Sequence, residues 1–138
     1  MQVNYGGCEY LSTVDYPGKA CLTIFLRGCQ RRCPWCHNQA LQTGETYVPI
    51  EYIYTLLEEA RQFVSAVVLS GGEPLDQVDA CMAISAYAKN LDMLVGVHTS
   101  RRDRAVEFNC WFDMMLISNP EVDPRVSNVP LAERAWTR

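Results

Sequence analysis

The sequence predicts an α/β fold built on a parallel sheet. Three apolar segments rich in strand formers, residues 21–26, 66–70 and 93–98, each read as a strand. Stretches with helical spacing separate them, so the order is strand, loop, helix, strand, loop, helix, strand. That order implies right-handed βαβ crossovers. The strands are nearly continuously apolar, which fits a sheet covered on both faces.

The first strand, Cys21-Leu22-Thr23-Ile24-Phe25-Leu26, ends at Arg27-Gly28. Asp15-Tyr16-Pro17-Gly18 before it reads as a turn. Thr46-Tyr47-Val48-Pro49-Ile50 leads into a helix, with Pro49 suited to its first turn. Ile53, Leu56, Leu57, Ala60 and Val64 recur at helical spacing, with Glu51, Glu58, Glu59 and Arg61 between them. The second strand, Ala66-Val67-Val68-Leu69-Ser70, is broken by Gly71-Gly72-Glu73-Pro74. Residues 78–89 read as a second helix with Cys81, Met82, Ile84, Ser85 and Ala88 on its inner face. The third strand, Met93-Leu94-Val95-Gly96-Val97-His98, is followed by Thr99-Ser100.

The pattern weakens after Ser100. Arg101-Arg102-Asp103-Arg104 is a charge cluster, residues 108–117 are strongly apolar, and residues 119–138 show little periodicity. Six of the ten arginines lie beyond Ser100, a shift in composition. We expect a single domain over 1–138 with an atypical tail at 101–138.

The length, 138 residues, suits one domain, and 49% hydrophobic residues suffice for a core. A net charge of −4 gives no argument for nucleic-acid binding. No apolar run is long enough to span a membrane, and Met1-Gln2-Val3-Asn4 does not read as a signal peptide. The expectation is a cytoplasmic protein.

The seven cysteines are an odd number, which disfavours a disulfide framework. Three are clustered, in Gly28-Cys29-Gln30-Arg31-Arg32-Cys33-Pro34-Trp35-Cys36-His37-Asn38. Three thiolates can ligate three irons of a [4Fe–4S] cube and leave the fourth iron open for a substrate or cofactor. Zinc is the competing reading. It usually wants four ligands, and His37 sits awkwardly beside Cys36 for tetrahedral closure. The other four, Cys8, Cys21, Cys81 and Cys110, read as small buried apolar residues.

The cysteine segment follows a strand directly, and ligands of parallel α/β folds bind beyond the carboxyl ends of strands. Gly71, Gly72 and Glu73 fall on the same rim. Two glycines let backbone approach a ligand, and a carboxylate can accept hydrogen bonds from an ammonium. His98 ends the third strand there and is a candidate polar contact. Arg31 and Arg32 could offset the charge of a thiolate-bound cluster, or simply be solvated.

The C-x3-C-x2-C spacing, the aromatic Trp35 before the last cysteine and Gly71-Gly72-Glu73-Pro74 after the next strand resemble the radical S-adenosylmethionine (SAM) superfamily. Asp15-Tyr16-Pro17-Gly18, Gly28-Cys29 and Cys33-Pro34-Trp35-Cys36-His37-Asn38 are similar to activating proteins of anaerobic ribonucleoside-triphosphate reductases; pyruvate formate-lyase activases share much of this pattern. The resemblance runs from about residue 10 to 100. It implies a partial (β/α) barrel with parallel strands, truncated or degenerate after residue 100. It also implies that Cys29, Cys33 and Cys36 hold a [4Fe–4S] cluster whose open iron chelates SAM. Gly71, Gly72 and Glu73 would line the site of the methionine ammonium, with Trp35 and His98 as further cofactor contacts. Reductive cleavage of SAM would give methionine and a 5′-deoxyadenosyl radical, which takes hydrogen from a glycine of the partner. That partner would be a glycyl-radical enzyme such as anaerobic ribonucleoside-triphosphate reductase, and an electron donor is required. The alternatives are another small radical SAM enzyme and a truncated, non-catalytic module that binds a cluster or metal.

The chain departs from this pattern in its tail. Arg101-Arg102-Asp103-Arg104 stands where glycine-containing turns are usual, and Leu116-Ile117-Ser118-Asn119 stands in place of an Asp-Ile-Lys-like strand. Some codons for the latter contain Asp-Ile-Lys in a shifted frame, so part of the tail is expected to be read out of frame or otherwise degraded.

Overall fold

The computed structural model describes residues 1–28, 40–41 and 43–118, and the backbone of 39 and of 132–137. The elements are β1 (Gln2–Tyr16), β2 (Lys19–Leu26), β3 (Tyr47–Pro49), α1 (Ile50–Ala60), β4 (Ala66–Gly71), α2 (Val78–Asn90), β5 (Leu94–Thr99), α3 (Arg102–Glu107), β6 (Met114–Ser118) and β7 (Ala132–Thr137). The described strands form one sheet in the order β3-β1-β2-β4-β5-β6-β7. Strands β2, β4, β5 and β6 run parallel, while β1, β3 and β7 are antiparallel additions. The sheet does not close on itself, and its four parallel strands make a partial (β/α) barrel.

Alternation along each strand assigns side chains to two cores. Leu22, Ile24 and Leu26 of β2, Val67 and Leu69 of β4, Val95 and Val97 of β5, and Met115 and Ile117 of β6 belong to one cluster. That cluster includes Ile53 and Leu57 of α1 and Ile84 of α2. The opposite face holds a smaller cluster of Tyr16, Cys21, Ala66, Val68 and Met114. Burial on both faces explains why these strands read as apolar runs.

Helix α1 buries Ile50, Ile53, Leu56, Leu57 and Ala60, with Pro49 as its N-cap rather than within its first turn. Val64 is buried but lies past the helix, after the chain has turned toward β4. Helix α2 buries Ala80 with Cys81, Ile84, Ser85 and Ala88, whereas Met82 is only half-buried. Stacked rings of Tyr54 and Tyr87, centroids 3.9 Å apart, join the two helices.

The sequence reading misses β1, β3, α3, β6 and β7. Strand β1 carries Gly6-Gly7, Asp15 and two consecutive polar residues at Ser12-Thr13, which break any alternation. Its pairing with β2 shifts register three times, so irregular spacing is built into the strand. The Asp15-Tyr16-Pro17-Gly18 turn lies at the hairpin between β1 and β2.

The expected degeneration after Ser100 is not found before Ser118. The α/β alternation continues through α3, with Ala105 buried, to β6, which pairs in parallel register with β5 from Gly96↔Met114 to Thr99↔Ile117. Strand β6 draws its core residues from the apolar stretch that the sequence reading left unassigned. Of the Leu116-Ile117-Ser118-Asn119 segment on which the expected frame change was placed, the first three residues belong to β6, and Asn119, with the rest of 119–131, lies outside the described residues.

Candidate functional site

The ends of β2, β4 and β5 meet at one rim. Cys29, Cys33, Cys36 and Trp35 lie outside the described residues, but the base of their segment is described. Gly28 N–H donates to the Leu41 carbonyl at 2.6 Å and Arg27 N–H to the Asn4 carbonyl at 2.9 Å. The Arg27 guanidinium reaches the carbonyls of Ala40 and Thr43, both at 3.3 Å. Gln77 Nε2 donates to the carbonyls of Asn4 (3.1 Å) and Arg27 (3.2 Å), and Gln77 Oε1 accepts from Asn4 N–H (3.0 Å). Asn4 Nδ2 donates to the Gly44 carbonyl, and Asn4 Oδ1 accepts from Thr46 N–H. Both flanks of the cysteine segment are thereby bound to the sheet and to the start of α2.

The Gly71-Gly72-Glu73 loop is stitched to that base. Gly72 N–H donates to the Leu26 carbonyl and Glu73 N–H to the Gly28 carbonyl, each at 2.8 Å. Gly71 has φ +113°, and a Cβ there would lie 2.4 Å from the Leu26 oxygen. A Cβ on Gly72 would lie 2.4 Å from the Gly28 oxygen. The two glycines thus permit close approach of protein backbone to protein backbone.

Glu73 is buried, 1% exposed. Its Oε2 accepts from Leu75 N–H (2.9 Å) and Thr99 Oγ1 (2.6 Å). Its Oε1 accepts from Ser100 N–H (2.7 Å) and Ser100 Oγ (2.9 Å). Arg101 pairs with Asp76, and Arg104 donates to the Leu75 carbonyl at 2.6 Å. The arginine cluster is therefore partly inward-facing, bracing the segment after Glu73.

His98 sits on the other face of β5 from Thr99. Its Nε2 lies 2.9 Å from the Asp15 carbonyl oxygen, where the Nε2-protonated ring donates. The Asp15 carboxylate accepts from Ser12 Oγ and Thr23 Oγ1, both at 2.7 Å. The structure thus brings Gly71, Gly72 and Glu73 to the cysteine base and ties His98 to the β1–β2 hairpin. Sequence reasoning passed over Asn4, Gln77, Thr99, Ser100 and the bracing role of Arg101 and Arg104. Hydroxyls at Thr99-Ser100, on the same rim, were the one available signal.

The remaining cysteines sharpen the choice of metal ligands. Cys21 and Cys81 are fully buried. Burial pushes both thiols up, with the Glu73 charge adding to it at Cys81, and Cys81 donates to the Pro74 carbonyl. Both suit a protonated core thiol, unlike a thiolate ligand. Cys8 is half-buried and Cys110 exposed, contrary to the sequence reading of both as buried. Among the described residues, no His, Cys, Asp or Glu group is arranged to hold a metal ion. No described helix is long and apolar enough to cross a membrane.

A family model described as the radical SAM superfamily matches residues 23–125. The chain is 39% identical over 101 residues to a Methanocaldococcus jannaschii protein described as a glycyl-radical enzyme activating enzyme, covering 72% of this chain and 41% of the relative. It is 34% identical over 99 residues to a pyruvate formate-lyase-activating enzyme of Listeria monocytogenes, covering 67% of this chain and 38% of the relative. Against the anaerobic ribonucleoside-triphosphate reductase-activating protein of Escherichia coli it is 31% identical over 78 residues, covering 53% of this chain and 50% of the relative. The matched regions thus span half or less of the length of these relatives.

Proposed function

Because this chain belongs to the radical SAM superfamily, we propose that it carries the cluster- and SAM-binding rim of an enzyme that activates a glycyl-radical enzyme. The observation that supports this most is the double backbone link between the Gly71-Gly72-Glu73 loop and the base of the cysteine segment. It holds the glycine-rich loop against Leu26 and Gly28, the residues that lead into the cysteine segment, at the carboxyl end of a parallel sheet. Cys29, Cys33 and Cys36 would hold a [4Fe–4S] cluster. Bound there, the cluster would supply the electron that reductively cleaves SAM to methionine and a 5′-deoxyadenosyl radical.

The chain's own residues have three tasks. Gly71, Gly72 and Glu73 line the methionine end of SAM. Trp35 covers the cluster or the adenine, and His98 adds a polar contact from β5. The radical's target is a glycine of a partner enzyme, and relatives that activate such enzymes support that class. The narrower partner we propose is anaerobic ribonucleoside-triphosphate reductase, with a separate electron donor and cytoplasmic residence.

The test is anaerobic reconstitution with iron and sulfide, then addition of SAM and a reductant. We expect 5′-deoxyadenosine, and a glycyl-radical signal once the reductase is added. A verified cluster that leaves SAM intact counts against the reading. A non-catalytic structural site would instead show about one zinc per chain and no sulfide.

A further inference from the structure

Glu73 has little acceptor capacity left for a ligand. A carboxylate offers about four lone-pair sites. Leu75 N–H, Thr99 Oγ1, Ser100 N–H and Ser100 Oγ take them, at 2.6 to 2.9 Å. Three of these donors belong to the end of β5 and the turn after it. The carboxylate therefore ties the loop that follows β4 to the loop that follows β5. Thr99 Oγ1 has a second task, accepting from Arg101 N–H at 2.9 Å.

Resting on the reading of this rim as a SAM site, we infer that Thr99 and Ser100 are positioning residues. Their hydroxyls hold the Glu73 carboxylate inward, so that the backbone of 71–73, not the carboxylate, meets the methionine end of SAM. Loss of one hydroxyl leaves a buried carboxylate oxygen with a single donor in place of two, and the cheapest remedy is for Glu73 to turn outward and carry the loop with it.

Thr99→Val keeps the shape of the side chain and removes the donor, whereas Thr99→Ser keeps the donor. Both are made in the full chain and reconstituted anaerobically. Three readouts apply: amide hydrogen exchange across 71–75 without SAM, iron and sulfide content, and SAM affinity from the change in the cluster's EPR spectrum on titration. In Thr99→Val we expect exchange about tenfold faster, metal content unchanged and SAM binding about tenfold weaker. Thr99→Ser should return both to within about twofold of the starting protein. A folded Thr99→Val protein with unaltered exchange and affinity overturns the inference, as does failure of Thr99→Ser to rescue. If Thr99→Val does not fold, Ser100→Ala carries the same expectations and the same refutation. If the unsubstituted protein holds a full cluster and binds no SAM, the SAM reading of the rim fails, and the positioning inference for SAM with it; unchanged SAM binding confined to the variants fails the inference alone.

Discussion

A methyl group at Gly71 would press on the Leu26 backbone at 2.4 Å, and φ there is +113°. Both the contact and the dihedral oppose any side chain. Gly71→Ala is expected to cost about 1–3 kcal/mol of stability, measured by urea denaturation, because the backbone must leave a glycine-only region. Cys81 sets a pH dependence of opposite origin to an acid-labile carboxylate. Its thiol is pushed up in the folded state by burial, then by Glu73. Below about pH 8.5 the folded and unfolded chains both keep the proton, and the contribution is full. Above that the unfolded chain releases it while the folded chain retains it, so stability falls as pH rises. Cys81→Ser still offers a donor to the Pro74 carbonyl and does not titrate. Urea titrations between pH 8 and 10 should show it losing less stability than the unsubstituted protein, by about 1 kcal/mol per pH unit at the alkaline end.

At the scale of elements, the legible parts are those whose side chains repeat one pattern. Helix α1 is the clearest, its buried positions recurring at helical spacing against the sheet. Leu57→Ala, at a fully buried position, should destabilise by about 2–5 kcal/mol. Thr55→Ala, on the exposed face of the same helix, should stay within about 0.5 kcal/mol by the same urea measurement. Strands β2, β4 and β5 were legible because burial on both faces leaves little room for polar residues. Strand β1 was not, since its bulges and glycines leave no period to read. Strand β6 was masked by context: its apolar residues merge with Phe108, Trp111 and Phe112 before it, and only pairing with β5 marks where the strand begins. The Gly71-Gly72-Glu73 loop at the rim and the cysteine segment that follows Gly28 were visible as motifs. Asn4 and Gln77, 73 positions apart, were not, because no local pattern announces a hydrogen bond over that distance.

Over the whole molecule, one sheet joins two apolar clusters, one on each face. We propose that the chain unfolds as one cooperative domain. Far-ultraviolet circular dichroism and tryptophan fluorescence should then give coincident urea transitions; separated midpoints would divide the chain into independent units. The α/β class, the parallel order of three strands, and the cysteine and glycine motifs can be read from the amino-acid order alone. Those depend on residue type and short-range spacing, which a chain displays whether folded or not. The folded chain alone reveals that the two glycines serve backbone-to-backbone contact, that the Glu73 carboxylate faces Thr99 and Ser100, and that the α/β pattern continues past Ser100 to β6. Each of those rests on groups brought together across strands, where sterics and the pairing of buried polar atoms, not local propensity, select the outcome.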